Sequence, residues 1–158
     1  MSSEWYMGIN TGTSMDAIDV AAFDFSHKIP PCLGGFSHPL DGSMRNAMLA
    51  MVDDPDLSYR EVISAQAELS KEIQQAVSFC MTQYGWDKAQ FKAVGLHGQT
   101  IHHCPEYTVP YSLQLNDGHR LTKALGMPVV TDFRQSDIAL GGMGAPLMPL
   151  FQRFLTES

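Results

Sequence analysis

The sequence is short of the features that mark several function classes. Lysine and arginine total 10 against 17 aspartates and glutamates, for a formal net charge of −7, and no basic block interrupts the chain. That balance argues against a nucleic-acid footprint, which needs clustered positive charge. Cysteine is scarce: Cys32, Cys80 and Cys104 are odd in number, widely spaced and form no C-x-x-C pair. Neither a disulfide scaffold nor a zinc ribbon is expected. Long hydrophobic runs are missing too, with nothing near the roughly 18 consecutive apolar residues of a membrane span. The opening Met-Ser-Ser-Glu-Trp has no basic start and no apolar h-region, so the expectation is a soluble, cytoplasmic protein with no membrane partner.

What is present is enough to build a core. Apolar residues make up 44% of the 158, including eight Phe, five Tyr and two Trp, a composition of ordered rather than disordered chains. The length fits one domain of ordinary size.

The hydrophobic pattern predicts a strand over Glu4–Asn10, stopped by the turn chemistry of Thr11-Gly12-Thr13-Ser14, and a second over Ala17–Phe25, the two forming a hairpin. Pro30-Pro31 and Gly34-Gly35 exclude a continuous helix from Ser26 to Pro39, and Phe36–Leu40 fits a third strand. Ser43 is read as the N-cap of a short helix to about Met51, ended by Asp53-Asp54-Pro55. Ser58 with Glu61 has the capping-box spacing and opens the longest helical pattern, in which Ala65, Leu69, Ile73, Val77 and Met81 form one stripe before Gly85. Strands are expected at Phe91–Leu96, Tyr111–Leu115 and Pro128–Phe133, and a helix at His119–Leu125 closed by Gly126. A last helix, Leu147–Leu155, follows the glycine-rich turn Gly141–Pro146, with Pro146 in its first turn. Strands come first and then alternate with helices, which predicts an α/β fold on a mixed sheet.

Three segments carry chemistry. In Asn10–Asp16 a strand runs into a small-residue loop bearing hydroxyls; such a loop suits a phosphate, and the alternative is an ordinary β-turn. Gly95-Leu96-His97-Gly98-Gln99-Thr100 lies at a strand's end, where clefts in α/β sheets open. His97 there either contacts ligand or satisfies a turn backbone. A metal cluster of His97, His102, His103 and Cys104 is disfavoured, because adjacent strand residues face opposite ways and no second ligand pair follows. In Thr131–Asp137, Asp132, Arg134 and Asp137 precede the glycine-rich turn. Those groups can manage an anion or a proton, or they are a surface salt bridge.

Taken together and in this order, Gly12-Thr13-Ser14-Met15-Asp16, His97-Gly98-Gln99-Thr100 and Asp132-Phe133-Arg134 followed by Gly141-Gly142-Met143-Gly144-Ala145-Pro146-Leu147 resemble the anhydro-N-acetylmuramic acid kinases. Ser112-Leu113-Gln114-Leu115 extends the likeness between the second and third blocks. The resemblance implies the sugar kinase, Hsp70 and actin superfamily: a mixed five-stranded sheet with flanking helices, one ribonuclease H-like lobe of the two that hold a nucleotide between them. It implies an enzyme that uses ATP, with magnesium, and water to open 1,6-anhydro-N-acetylmuramic acid and phosphorylate its O6 in peptidoglycan recycling. By the same resemblance Gly12, Thr13, Ser14, Asp16 and Asp19 face the nucleotide, and His97, Gln99, Thr100, Gln114, Asn116 and Arg134 face the sugar. Asp137 is the expected base, with Asp132 the second choice.

The chain departs from the family pattern in several places. Asn10-Thr11 stands for the usual Met-Ser, Ala17 for a glycine, Leu96 for a serine, and Met143 for a glutamine able to hydrogen-bond a ligand. By the same resemblance, residues 1–158 are expected to correspond to one N-terminal lobe, without the second lobe that carries the family's adenosine-binding elements. The expectation is therefore a lobe inactive by itself, since the cleft needs both walls. The alternative is a one-lobe binding module that dimerises or pairs with a separate second-lobe chain.

Overall fold

A computed structural model describes residues 4–52, 54 and 56–157. Among them are seven strands and five α-helices: β1 Trp5–Thr11, β2 Ala17–Asp24, β3 Cys32–Pro39, α1 Gly42–Met51, α2 Tyr59–Tyr84, β4 Phe91–Leu96, β5 Gln99–Cys104, β6 Tyr111–Leu115, α3 Gly118–Leu125, β7 Val129–Val130, α4 Phe133–Ala139 and α5 Met148–Glu157. Five strands form one sheet in the order β3-β2-β1-β4-β7, and β5-β6 form a separate pair. The β1-β2-β3 meander is antiparallel, whereas β4 and β7 run parallel to β1. This is the mixed five-stranded sheet with flanking helices of an actin-like ATPase lobe.

Alternation places Met7, Ile9, Ile18, Val20, Val94 and Leu96 on the face that meets α2. The helix answers with Ala65, Leu69, Ile73, Ala76, Val77 and Cys80, all buried. Each large side chain so covered contributes about 1.5–3 kcal/mol. Both ends of α2 follow from the sequence. Ser58 and Glu61 form the reciprocal capping box, and Gly85 takes the left-handed conformation, φ 65°, that a side chain resists. Burial also raises the Cys80 thiol pKa.

Other expectations need correction. The cap of α1 is Asp41, whose carboxylate accepts from the Ser43 and Met44 N–H groups, so Ser43 lies inside the helix. The expected stop at Asp53-Asp54-Pro55 lies partly outside the described residues, which include neither 53 nor 55. Strand β3 starts at Cys32 and runs through Gly34-Gly35. The strand expected over Pro128–Phe133 shrinks to Val129–Val130 at the margin of the sheet. Asp132 adopts φ 62° and turns the chain, and Phe133 opens α4 instead. Gln99–Cys104, to which the pattern assigns no element, is strand β5. Pro146 precedes α5 rather than sitting in its first turn, where Pro149 stands.

Candidate functional site

Because β1, β4 and β7 are parallel, their carboxyl ends share one edge of the sheet. The segments that leave that edge are Gly12–Asp16, His97–Gly98 and Thr131–Asp132. Ligands of open α/β sheets bind beyond this edge. His97 is tied directly to the end of β1, since its N–H donates to the Ile9 carbonyl at 3.0 Å.

The first loop is a tight turn closed by the Met15 N–H on the Gly12 carbonyl, 3.0 Å. Met15 has a positive φ, 51°, yet its side chain is buried, 3% exposed, which anchors the turn in the core. Thr13 and Ser14 remain exposed, and among the described residues their N–H groups donate to no backbone carbonyl. Two free amides and two hydroxyls at a strand end fit an anion. Ser14 donates its hydroxyl proton to Asp16, and that bond first, then the backbone N–H groups of Asp16 and Ala17 and the charge of Arg45, lower the Asp16 pKa. Asp19 lies on the adjoining strand, opposite Asn10 and Ser37, and accepts the Ser37 hydroxyl at 2.7 Å.

The second and third groups meet through Arg134. Its Nε donates to His97 Nε2 at 2.8 Å, and its Nη1 to the Gly144 carbonyl at 3.1 Å. No ion pair among the described residues joins Arg134 to Asp132 or Asp137, so the surface salt bridge is not formed. Since a guanidinium only donates, His97 Nε2 must accept; Nδ1, 2.8 Å from the Gly98 carbonyl, must carry the proton. Burial, partly opposed by that Gly98 contact and reinforced by the charge of Arg134, lowers the His97 pKa and keeps the ring neutral. His97 thus satisfies a turn backbone with one nitrogen and meets the arginine with the other.

Asp137 holds the glycine-rich turn. Its Oδ2 accepts the Gly144 N–H at 2.8 Å, and its main-chain carbonyl accepts that of Gly142 at 2.9 Å. A Cβ on Gly142 would lie 2.2 Å from Oδ2, so a side chain there would displace the carboxylate from its place over the turn. His97 and Asp137 line one open, mainly apolar hollow of about 560 Å³. Asp132 faces a different and more polar hollow, of about 340 Å³, with Gln66, Asn116, Asp117, His119 and Thr131. Asn116 Nδ2 donates to Asp132 Oδ1 at 3.0 Å.

Gln99, Thr100 and Gln114 belong to the small sheet. Gln99 is 2% exposed; its Nε2 reaches the Thr100 carbonyl at 3.1 Å, while its Oε1, like the Thr11 hydroxyl, is buried without a partner among the described residues. Gln114 donates to Ser112 Oγ at 2.6 Å and to Thr100 Oγ1 at 3.4 Å. No hydrogen bond among the described residues links Gly12–Asp16 to the other two groups; the sheet edge is what they share.

Sequence reasoning missed the supports. Gln135 accepts the Ser112 N–H at 3.1 Å, fastening α4 to β6, and Gln66 reaches the Asn116 carbonyl at 3.5 Å. Arg45 Nε donates to the Ser14 carbonyl at 3.2 Å. Arg45 is the one Lys or Arg between Lys28 and Arg60, which was an available signal. Among the described residues there is no group of three or more His, Cys, Asp or Glu arranged to hold a metal. No helix among them is long and apolar enough to cross a membrane.

A family model described as "Anhydro-N-acetylmuramic acid kinase" matches residues 4–158. The anhydro-N-acetylmuramic acid kinase of Nitrosomonas europaea is 42% identical over 147 residues, 93% of this chain and 40% of that protein. Its namesakes in Sulfurimonas denitrificans and Saccharophagus degradans are 37% and 36% identical, over 97% and 96% of this chain and 41% and 42% of their own lengths. The chain therefore spans about two fifths of the relatives it matches. By the extent of that match, the chain belongs to the anhydro-N-acetylmuramic acid kinase family.

Proposed function

We propose that residues 1–158 are the N-terminal lobe of a cytoplasmic kinase that uses ATP and water to open 1,6-anhydro-N-acetylmuramic acid, yielding N-acetylmuramic acid 6-phosphate in cell-wall recycling. One observation carries this reading: the hydroxyl-bearing loop, the His97 turn and the Asp132–Arg134 turn leave the carboxyl ends of three adjacent parallel strands. Phosphoryl transfer needs mainly positioning and neutralised charge. The exposed Thr13 and Ser14 amides and hydroxyls suit the phosphates; Asp16 is the carboxylate bonded to Ser14, and in this reading Asp19 faces the nucleotide from β2. Magnesium, when bound with ATP, offsets negative charge on the transferred group.

Arg134 has no carboxylate partner among the described residues and is held by neutral groups, so its charge is available to the acid group of the sugar. Gln99, Thr100, Gln114 and Asn116 are the further residues of this reading that meet the sugar. In the reaction a carboxylate takes a proton from water, the water oxygen bonds to the anomeric carbon, the bond from that carbon to O6 breaks, and O6 takes the γ-phosphoryl group of ATP as the bond from that phosphorus to the β-γ bridging oxygen breaks and ADP leaves. The two candidate bases have different support. Asp137 shares a hollow with His97 but is engaged by the glycine-rich turn, whereas Asp132 is engaged at one oxygen by Asn116 and faces the more polar hollow.

The second reading is a one-lobe module that dimerises or pairs with a separate second-lobe chain. Its support is an apolar surface: Leu140 is 90% exposed, and Phe133, Met148 and Leu150 are exposed around the same hollow. A coupled ADP-release assay with the anhydro sugar separates the readings. Turnover by the chain alone excludes the module; turnover only after a second-lobe polypeptide is added supports the module that pairs with a separate chain.

A further inference from the structure

We propose that Arg45 is a positioning residue for the Gly12–Asp16 loop, holding it through the Ser14 carbonyl and offsetting the charge of Asp16 so that a polyphosphate is accepted there. The inference rests on reading that loop as phosphate-facing. A polyphosphate arriving at Thr13 and Ser14 meets the exposed Asp16 carboxylate, which the Ser14 hydroxyl keeps ionised. That fixed negative charge repels the ligand unless a cation stands by it.

Arg45 is that cation. Its side chain projects from the first turn of α1, one position past the buried Met44, and its Nε reaches the Ser14 carbonyl at 3.2 Å. Among the described residues its remaining guanidinium groups make no hydrogen bond or ion pair, so the charge is not spent on a carboxylate elsewhere. The strand-to-loop junction is held from the same side by the Leu40 N–H on the Asp16 carbonyl, 2.9 Å, and by the buried Met15 side chain. Helix α1 and the chain leading into it thus brace the loop; Asp41 is committed there as the helix cap, and Arg45 is the cation of that brace.

The test is titration of the ¹⁵N-labelled chain with sodium pyrophosphate, following the amides of residues 12–16 at low and high salt. Arg45→Met removes charge and hydrogen bond; Arg45→Gln keeps an N–H donor for the Ser14 carbonyl and removes only the charge. Because Arg45 is exposed, both variants should keep the parent melting temperature. The expected result is pyrophosphate affinity about fivefold weaker in both variants at low salt, with a difference from the parent that shrinks as salt screens it. Parent-like affinity and salt dependence in Arg45→Gln overturn the role assigned to Arg45. Pyrophosphate that shifts none of these amides in the parent overturns the reading of the loop itself, and the Arg45 role with it.

Discussion

Arg134 and His97, 37 positions apart, are joined by a 2.8 Å hydrogen bond in which the arginine Nε donates to the histidine Nε2. Through its Nη1 on the Gly144 carbonyl the same guanidinium also holds the glycine-rich turn, so one side chain ties together two of the three segments at the sheet edge. Arg134→Ala should destabilise the fold by about 1–2 kcal/mol, the range for losing hydrogen bonds from a charged donor at a half-buried site. Arg134→Lys keeps the charge but lacks the planar fork that reaches both partners, and should recover only part of the loss. Urea unfolding of the three proteins measures this, and faster amide exchange at Gly144 in both variants would locate it.

The same contact makes stability depend on pH. His97 must be neutral to accept from Arg134, and its folded pKa lies below the ordinary 6.5. The unfolded chain therefore takes up the proton first as pH falls. The stabilisation is complete above about pH 6.5 and is lost as pH drops toward and through the lowered value. Urea midpoints of the parent should fall more between about pH 7.5 and 5.5 than those of His97→Gln, which has no proton to gain. Equal falls would assign the pH dependence to other groups.

Gly98 is the backbone counterpart of that arrangement. It has φ +74°, and a Cβ there would lie 2.4 Å from the Leu115 carbonyl oxygen and 2.8 Å from the Asn116 Cβ. Gly98→Ala should cost about 2–3 kcal/mol, combining left-handed strain with a clash against main chain. Gly8→Ala is the control: its Cβ would meet nothing within 4 Å, and the residue lies inside β1, so stability should hold or rise by about 0.5 kcal/mol. Thermal melts of the two variants decide whether the His97 turn is as tightly specified as its geometry says.

The elements that were legible in the sequence are those with a local chemical signal. Ser58 and Glu61 announce α2, Gly85 and Gly126 end helices, and the alternation of Ile18, Val20 and Ala22 marks β2. What was not legible depends on distant partners. Gln99–Cys104 is a polar run that becomes a strand only because β6 pairs with it. Helix α4 has seven residues, too few to show a period, and its start is set by Asp132 at a positive φ that nothing nearby demands. The site followed the same division. The Gly-Thr-Ser, His-Gly-Gln-Thr and Asp-Phe-Arg blocks could be picked out, but not that Arg134 would choose His97 over either aspartate, nor that Arg45 would reach across 31 positions to Ser14.

Asp132 and Asp137 make a last prediction, for a complete two-lobed version of the protein, because their surroundings separate a chemical role from a structural one. In Asp137→Asn the amide oxygen can still accept the Gly144 N–H, so the turn and sugar binding should survive while a base would be lost; turnover should fall by about 10²–10⁴-fold if Asp137 is the base. Asp137→Ala removes the acceptor as well and should also raise the sugar KM, since the turn then loses its anchor. Asp132→Asn leaves an acceptor for Asn116 and tests the other carboxylate in the same way. ADP release measured against sugar concentration gives kcat and KM for all three. A collapse of kcat in Asp132→Asn with near-parent turnover in Asp137→Asn would exchange the roles, leaving Asp137 as the residue that holds the turn. Near-parent kcat in both Asn variants would place the base on neither.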